Sequence, residues 1–344
     1  MLYYVKIPLY IIDFIPSRIG DAMKVFLTRK IPDEGISILE KQHDVTIFPH
    51  DRLPTKKEIL KGIKGCDGLL CLLTDPIDAD VITAEPHLKM IASYAVGYDN
   101  IDIKTATHHG IPVSNTPDVL TDATAELAWA LVFAAARGVV KADGFTRAGK
   151  FQGWDPLLLR GQQLTGKTLG IIGAGRIGTS FALKSKGFNM PILYYNRSSN
   201  TVLEQEMNAT KVTLETLLQK ADVISLHVPL TKETFHLLGE KQLKMMKPTA
   251  ILINTSRGPV IDEQALIKAL QKEWIFGAGL DVYEQEPTIP QALRKLENVV
   301  LQPHTGSATF KARADMAVIA AQNMIAGLAG KQPPNCVNPE VFTA

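Results

Sequence analysis

The sequence predicts an α/β protein with two doubly wound domains, each built on a parallel sheet. The chain has 344 residues, and because domains commonly contain about 150 residues, this length favours two of them. Short apolar segments alternate with segments whose apolar residues recur at helical spacing, which is typical of parallel strands connected by helices. A loop rich in glycine, tryptophan and proline at 149–166 separates two such series.

The first series precedes residue 120. Ile36 and Leu39 have helical spacing and predict a helix at 33–41. The segment 68–73 is apolar throughout, as expected for a strand that is covered on both faces. The predicted strands of this series lie at 24–28, 45–48, 68–73, 88–93 and 112–114.

A long, alanine-rich helix at 122–138 precedes the second series, with Thr121 or Asp122 as its predicted N-cap. The second series begins at Lys167, and helical patterns lie between most of its strands. Its predicted strands lie at 168–172, 192–195, 223–227, 250–254, 278–282 and 299–302.

The order of these segments indicates that the chain returns to its first domain at the carboxyl end. We expect one domain at 23–119 plus 307–344 and a second at 120–306. Residues 1–22 are expected to form an extension with no part in the chemistry, because Met23 opens the first predicted strand. They lack the basic region and cleavage site of a signal peptide.

Composition excludes several classes of protein. With 37 basic and 35 acidic side chains, the net charge is +2, too small for electrostatic binding of nucleic acid. A hydrophobic fraction of 46% excludes a disordered chain. Cys66, Cys71 and Cys336 are too few for a disulfide framework and lack metal-ligand spacing. We therefore expect no metal and a reducing, cytoplasmic setting.

The best candidate for a membrane span is the segment 123–140. It is interrupted by Glu126 and Arg137, so it is predicted to be a buried helix of the second domain and not a membrane segment.

A glycine-rich hexapeptide follows the strand predicted at 168–172. It comprises Gly173, Ala174, Gly175, Arg176, Ile177 and Gly178. In a strand–loop–helix context, the first glycine permits the tight turn and the second lets a pyrophosphate approach the backbone. The third lets helix and strand pack closely. The segment therefore predicts dinucleotide binding at a helix N-terminus.

The end of the next strand indicates which dinucleotide is bound. An NAD site usually has Asp or Glu there, to bind the ribose 2′-hydroxyl. This chain has Asn196, Arg197 and Ser198 instead. Arg197 can pair with a 2′-phosphate, and its neighbours can donate hydrogen bonds. NADP(H) is favoured, and the alternative is that Arg197 is a solvated loop charge and NAD(H) binds.

Three later strands are followed by reactive polar side chains: Arg257, Glu286 and His304. Each has a structural explanation when taken singly, as a surface ion pair, a turn carboxylate and a loop histidine. Ligands of open parallel sheets bind beyond the carboxyl ends of the strands. Three such residues in this order behind a nucleotide motif therefore favour a catalytic group.

The motifs GAGRIG, SLHVPLT, INTSRGPVID, GAGLDVYEQEP and LQPHTGSAT, with SYAVGYDNID upstream, resemble the D-isomer-specific 2-hydroxyacid dehydrogenase family. The resemblance extends from Met23 to the end and is strongest to glyoxylate/hydroxypyruvate reductases. It implies Rossmann-like and flavodoxin-like domains with an active-site cleft between them. It also implies reduction of a small 2-oxo acid to the 2-hydroxy acid.

The resemblance assigns a role to each reactive residue. Arg257 would bind the 2-oxo acid, and His304 would be the general acid in reduction and the base in oxidation. Glu286 would hold the imidazole ring and stabilise its protonated form. Backbone amides of Ala95, Val96 and Gly97 would bind the substrate carboxylate.

The resemblance also implies the cofactor contacts. Pyrophosphate would lie on 174–177, the adenosine ribose on 196–198 and the nicotinamide on Thr255, Ser256, Arg257, His304 and Gly306, with Thr124 near it. His227, Val228 and Pro229 end a strand in the cofactor cleft, although His227 has the equal alternative of a packed histidine. Asp281 is interpreted either as a carboxamide contact or as a structural carboxylate.

The resemblance also implies a homodimer, because in some hydroxypyruvate-reducing relatives a tryptophan at the position of Trp154 reaches the partner's pocket. The alternative for Trp154 is an interface anchor, which also favours a homodimer. The helix 123–136 is expected to pack at the same interface. The alternatives left open are 2-ketogluconate reductase, D-lactate dehydrogenase, phosphite dehydrogenase and a non-catalytic, corepressor-like binding protein. Glu286 argues against a formate dehydrogenase, and Val96 stands where phosphite-oxidising relatives have lysine.

Overall fold

The computed structural model describes residues 21–343, and nearly all of the expected extension at 1–22 lies outside the described part. The described chain forms two compact units. Unit 1 comprises residues 21–117 and 313–343, and unit 2 is Asp118–Ala312.

Unit 1 is built on a five-stranded parallel sheet. Its strands are β1 (Lys24–Leu27), β2 (Asp44–Ile47), β3 (Gly68–Cys71), β4 (Met90–Ser93) and β5 (Val113–Ser114). They are arranged in the order β2-β1-β3-β4-β5, and every pair is parallel. The helices are α1 (Asp33–Glu40), α2 (Lys56–Gly62), α3 (Ala79–Thr83), α4 (Ile103–His108) and, from Arg313 on, α13 (Phe310–Leu328). The central strands β3 and β4 are buried throughout, as expected where both faces are covered.

Unit 2 contains a seven-stranded parallel sheet. Its strands are β6 (Leu169–Ile172), β7 (Ile192–Tyr195), β8 (Thr210–Lys211), β9 (Val223–Leu226), β10 (Ile251–Asn254), β11 (Gly277–Leu280) and β12 (Val299–Leu301). Their order is β12-β11-β10-β9-β6-β7-β8. The chain starts at β6, moves outward through β7 and β8, and then crosses to β9. This reversal between β6 and β9 is the point where such sheets bind ligands.

Helices cover both faces of the unit 2 sheet. They are α5 (Thr121–Arg137), α6 (Val139–Arg147), α7 (Arg176–Leu183), α8 (Thr201–Met207), α9 (Leu214–Lys220), α10 (Glu240–Leu243), α11 (Glu263–Gln271) and α12 (Gln291–Arg294). One apolar cluster joins α5 and α7 to the sheet, and a second joins α9, α10 and α11 to it. The prediction of two doubly wound α/β sheets is confirmed.

The predicted cap of the long helix is wrong. Helix α5 begins at Thr121, its N-cap position is Leu120, and in the described structure no side chain caps it. The carboxylate of Asp122 accepts hydrogen bonds from Ser180 Oγ and Lys184 Nζ, both at 2.6 Å. The Asp122 carboxylate, which the local sequence predicts as a helix cap, is therefore bound to tertiary partners on α7 and just beyond its end.

Two elements of unit 2 were not predicted. Strand β8 has two exposed residues and thus no alternating pattern. Helix α6 has no buried residue and therefore no apolar stripe. It is separated from α5 by Gly138, whose φ of 58° ends the first helix.

No single helix in the described residues is long and apolar enough to cross a membrane. Helices α5 and α6 reach the required length and composition only as a pair, and they are bent by 63° relative to each other.

Candidate active site

The glycine loop after β6 satisfies three different steric requirements. Gly173 has a φ of 96°, and a Cβ there would lie 2.7 Å from the His227 carbonyl. At Gly178 a Cβ would collide with the Gly173 carbonyl oxygen. At Gly175, by contrast, no described atom lies within 4 Å of the Cβ position. The loop is therefore closed where helix and strand meet and open where a ligand would approach.

The N-terminus of α7 faces this opening without a side-chain cap from the described chain. Its first amides and the positive end of the helix dipole are suited to a pyrophosphate. Arg176 Nε pairs with Asp118 Oδ1 at 2.6 Å, so the group that Arg176 offers to the loop is its backbone amide. Together with the open position at Gly175, this arrangement fits the predicted dinucleotide.

The segment after β7 carries the residues predicted to select the cofactor. Asn196 Nδ2 donates to the Ser198 carbonyl at 3.0 Å, and Arg197 is exposed. Lys211 Nζ donates to the Arg197 carbonyl at 3.1 Å and adds a second cation. The sequence analysis missed Lys211 because it lies in the unpredicted strand β8.

Asn200 is a second residue that the sequence analysis missed. Its Nδ2 donates to the Ala174 carbonyl at 2.9 Å and to Thr179 Oγ1 at 2.7 Å. Asn200 also caps α8, accepting from the amide of Leu203. It thus ties the segment after β7 to the glycine loop, and the polar N-cap before α8 was its only sequence signal.

Glu286 and His304 form a hydrogen-bonded pair in unit 2. His304 Nδ1 lies 2.8 Å from Glu286 Oε2, and Glu286 Oε1 accepts from the Tyr283 amide at 3.0 Å. Burial opposes ionisation of Glu286, but the hydrogen bond and charge of His304 outweigh it and lower the pKa of Glu286. An ionised Glu286 holds the imidazole by Nδ1 and leaves Nε2 on the opposite edge of the ring.

Asp281 supports the backbone that carries His304. It is 1% exposed and accepts hydrogen bonds from the amides of Thr305 (2.6 Å) and Gly306 (2.7 Å). Burial raises the pKa of Asp281 against these hydrogen bonds. The Asp281 carbonyl also accepts from the His304 amide, and His304 has a φ of 55°. These contacts match the structural interpretation of Asp281. Thr124 also adjoins this segment, since a Cβ at Gly306 would lie 3.3 Å from its methyl carbon.

Arg257 lies in a loop that is pressed against the segment leading to Glu286. Asn254 Nδ2 donates to the Arg257 carbonyl at 2.9 Å, and Arg257 Nη1 donates to the Ser256 carbonyl at 2.8 Å. A Cβ at Gly258 would collide with the Tyr283 carbonyl, so only glycine allows this approach. The charge of Arg257 further lowers the pKa of Glu286. The structure thus brings Arg257, Glu286 and His304 into one electrostatic neighbourhood of unit 2.

His227 contacts a serine and a phenylalanine at the end of β9. Its Nε2 lies 2.9 Å from Ser225 Oγ, and its ring centroid is 5.1 Å from that of Phe181. Burial lowers the pKa of His227 to about 3, so the ring is neutral near pH 7. Its backbone and the side chain of Val228 adjoin Gly173, and Pro229 follows as an exposed residue.

Thr255 offers a polar atom toward the same end of the sheet. Its Oγ1 is buried and has no hydrogen-bond partner within residues 21–343. An unsatisfied buried hydroxyl costs about 1–3 kcal/mol, so a polar ligand group at this position would remove a penalty. The neighbouring Ser256 hydroxyl instead donates to Asn254 Oδ1.

The residues predicted to bind the substrate carboxylate lie in unit 1, after β4. The Ala95 carbonyl accepts from the Thr116 amide, and the Val96 carbonyl accepts from Asn115 Nδ2, both at 2.8 Å. Val96 and Gly97 are partly exposed. Within the described residues there is no cluster of three or more histidine, cysteine or carboxylate ligands that could hold a metal.

The sequence is similar to a known family and to known proteins of that family. Residues 129–306 match the family model described as D-isomer specific 2-hydroxyacid dehydrogenase, NAD binding domain. The chain is 54% identical over 325 residues to a glyoxylate reductase of Thermococcus litoralis, covering 93% of this chain and 98% of that protein. It is 52% identical over 323 residues to a glyoxylate reductase of Pyrococcus horikoshii, with coverage of 93% and 97%.

A solved structure is similar over nearly the whole chain. It is that of an NADPH-dependent glyoxylate/hydroxypyruvate reductase from Sinorhizobium meliloti in complex with NADP and malonate. It superimposes with a TM-score of 0.81 at 30% identity, and the match covers 92% of this chain and 97% of that one.

Proposed function

The chain belongs to the D-isomer-specific 2-hydroxyacid dehydrogenase family, and we propose that it reduces glyoxylate, hydroxypyruvate or both to the corresponding 2-hydroxy acid. The observation that carries this proposal is the 2.8 Å pair of His304 Nδ1 and Glu286 Oε2 in the charge field of Arg257. The family match and the glyoxylate reductases at about half identity support reduction of a 2-oxo acid.

We assign substrate orientation to Arg257. Its planar guanidinium can donate two parallel hydrogen bonds to a carboxylate and carbonyl oxygen of one 2-oxo acid. The positive charge also polarises the carbonyl toward nucleophilic attack at carbon.

We assign proton transfer to His304. With Nδ1 held by Glu286, Nε2 is the nitrogen available to donate a proton to the substrate carbonyl oxygen. Glu286 stabilises the imidazolium before transfer and fixes the ring during it. In the oxidative direction, Nε2 accepts the hydroxyl proton.

We assign the dinucleotide to residues 120–306 and the substrate carboxylate to amides of Ala95, Val96 and Gly97 in the domain 23–119 plus 307–344. When bound, the nicotinamide supplies or accepts the hydride at the substrate carbon. The glycine loop and the α7 N-terminus would hold the pyrophosphate of the dinucleotide, and the unpartnered Thr255 hydroxyl is a further polar group at the same end of the sheet.

We propose a preference for NADP(H) over NAD(H). Arg197 is exposed next to Asn196 and Ser198, and Lys211 supplies a second cation. A 2′-phosphate adds about two negative charges that such a pair attracts. The bound NADP of the Sinorhizobium meliloti relative is consistent with this preference.

We also propose a homodimer formed through the segment 133–158. Its exposed apolar side chains include Val139, Val140, Phe151, Trp154 (86% exposed) and Leu157. A groove of about 630 Å³ adjoins it, lined in part by Gly138, Lys141 and Arg160. Exposed patches of this kind mark protein interfaces. The cytoplasmic location stays a prediction.

The test is a nicotinamide absorbance assay on the purified protein. NADPH and NADH are supplied separately with glyoxylate, hydroxypyruvate, 2-ketogluconate and pyruvate, and phosphite is supplied with the oxidised cofactors. We expect rapid NADPH oxidation with glyoxylate or hydroxypyruvate. The variant His304→Asn should lose activity on the order of 100- to 10,000-fold, since it lacks the proton donor. Tight cofactor binding without turnover of any 2-oxo acid would refute the proposal and favour phosphite oxidation or a binding protein.

A further inference from the structure

The loop that follows β4 is held by unit 1 at several points. The Tyr94 amide donates to the Cys71 carbonyl at 2.8 Å. At the other end, Asn100 Nδ2 donates to the carbonyls of Leu72 (3.0 Å) and Asp75 (2.8 Å). In the middle of the loop, at Ala95 and Val96, the hydrogen bonds from described residues reach only the carbonyl oxygens.

The direction of these carbonyls determines the direction of the amides. Within the described residues the only cis peptide bond is Glu286–Pro287, so the peptides 95–96 and 96–97 are trans. In a planar trans peptide the carbonyl oxygen and the amide hydrogen point in opposite directions. Both carbonyls accept from the adjacent residues Asn115 and Thr116. The amides of Val96 and Gly97 therefore both point away from 115–116, and successive amides with a shared direction form an anion site.

One of the two carbonyls is held by a side chain. The backbone of Thr116 orients the Ala95 carbonyl, whereas Asn115 Nδ2 orients the Val96 carbonyl at 2.8 Å. The peptide 96–97, and with it the Gly97 amide, therefore depends on the identity of residue 115.

Asn115 is itself fixed by buried polar contacts. It is 9% exposed, and its carbonyl accepts from Asn323 Nδ2 at 3.0 Å. Asn323 is 1% exposed, and its Oδ1 accepts from the Asn335 amide at 3.1 Å. The Asn335 carbonyl in turn accepts from the Asn115 amide at 3.3 Å. This closed set of three asparagines gives the Asn115 side chain a rigid base.

We propose that Asn115 is a positioning residue for substrate binding, which turns the Gly97 amide toward the carboxylate of the 2-oxo acid by holding the Val96 carbonyl. This inference rests on the proposed function, because it takes the amides at 96–97 as the carboxylate site. Asn115 acts through the loop and does not contact the substrate.

The experiment compares Asn115→Ala and Asn115→Asp with Asn338→Ala. Asn338 is a matched control because it is 0% exposed in the same unit. It binds the Val113 amide at 2.7 Å and the Ile111 carbonyl at 3.0 Å, and no hydrogen bond joins it to 95–97 among the described contacts. Asn115→Asp keeps the side-chain volume but replaces the Nδ2 donor by an oxygen. Each protein is measured for Tm, for KM and kcat with glyoxylate and NADPH, and for oxamate affinity of the NADPH complex by calorimetry.

We expect both Asn115 variants to raise the KM for glyoxylate and the Kd for oxamate about tenfold, the effect of one misplaced hydrogen bond. The KM for NADPH should not change, and kcat should fall less than the KM rises. Asn338→Ala should lower the Tm and leave both KM values as in the wild type. A purely structural role for Asn115 predicts that Asn115→Ala and Asn338→Ala behave alike.

The failures of the two proposals are distinguishable. A wild-type protein that binds oxamate but turns over no 2-oxo acid refutes the proposed function, and the oxamate affinities then still test the role of Asn115. A wild type that does neither overturns both proposals. If the wild type is active and the Asn115 variants bind glyoxylate and oxamate as Asn338→Ala does, only the role of Asn115 is overturned. If Asn115→Ala does not fold, Asn115→Asp decides between these outcomes.

Discussion

Two carboxylates near His304 have different tasks, and their contacts separate them. Glu286 binds the ring at Nδ1, and its pKa is lowered, so it is ionised near neutral pH. Asp281 accepts hydrogen bonds from the amides of Thr305 and Gly306 and so holds the backbone next to His304. One carboxylate therefore holds the imidazole ring through Nδ1 and the other holds the backbone that carries it.

A first prediction concerns Arg257. The variant Arg257→Gln should lower kcat/KM on the order of 100- to 1000-fold, because it removes a charged donor to the substrate carbonyl. Dinucleotide affinity should fall far less than kcat/KM. Steady-state kinetics and cofactor titration measure the two effects, with the exposed residue change Arg294→Gln as the control. Equal losses in turnover and cofactor affinity would contradict the assigned role.

A second prediction concerns cofactor selection. The variant Arg197→Asp should weaken NADPH binding about 10- to 100-fold, because a repulsive charge replaces an ionic hydrogen bond to the phosphate. NADH affinity should stay the same or improve. Lys211→Ala should have a smaller effect in the same direction. Fluorescence titration of both cofactors measures the ratio, and an unchanged ratio in Arg197→Asp would refute phosphate pairing.

At the scale of elements, the ends of β6, β7 and β9 are joined by polar and aromatic contacts. Asn200 ties the segment after β7 to the glycine loop after β6. His227, after β9, packs on Phe181 of α7 and hydrogen-bonds to Ser225. The shape of the glycine loop therefore depends on these contacts with neighbouring segments as well as on its glycines.

A third prediction uses the lowered pKa of His227. The value is about 3 in the folded chain against an ordinary 6.5, so between these pH values the unfolded chain binds a proton that the folded chain does not. Stability from this residue is full above pH 6.5 and is lost as the pH falls, by at most about 1.4 kcal/mol per pH unit. Between pH 7 and pH 5, the free energy of unfolding measured with urea should decrease less for His227→Gln than for the wild type. An equal decrease in both would show that His227 titrates normally.

At the scale of the whole molecule, the chain forms two doubly wound units with different strand orders. The alanines of α5 that were expected at a subunit interface contribute to the core of unit 2, where Ala125, Ala128 and Ala136 are fully buried. A run of exposed apolar side chains lies further along, at Val139, Val140, Phe151, Trp154, Leu157 and Leu158. The segment after α5 therefore exposes more large apolar side chains than α5 itself.

A fourth prediction tests this surface. Light scattering coupled to gel filtration should give twice the mass of one chain. Val140→Asp, and to a lesser extent Trp154→Ala, should shift the protein toward one chain, because a charge or a cavity in an apolar interface costs several kcal/mol. Phe235→Ala, at an aromatic residue that is 53% exposed outside the segment, serves as the control. A monomeric wild type would exclude the homodimer.

Local pattern alone predicted the glycine loop and the strand ends, and it singled out Arg257, Glu286 and His304 as candidate reactive residues. Alternation and periodicity are set by which faces of each element are buried, and every strand with a buried pattern was predicted within two residues of its bounds. The glycines of the loop could also be predicted from the sequence. The φ of 96° at Gly173 and the close helix–strand contact at Gly178 leave glycine as the residue that fits. These features depend on neighbours in the chain.

The tertiary structure decided what depends on residues distant in the chain. Asp122 could have capped a helix, yet it binds Ser180 and Lys184 some 60 positions away. Lys211, in an exposed two-residue strand, binds the carbonyl of Arg197 in the segment after β7, and Asn115 binds the Val96 carbonyl from the segment after β5. A side chain with several possible hydrogen-bond partners takes the one that folding brings within about 3 Å. The hydrogen-bond partner is therefore determined by the packing of the sheet, and the adjacent residues in the chain do not predict it.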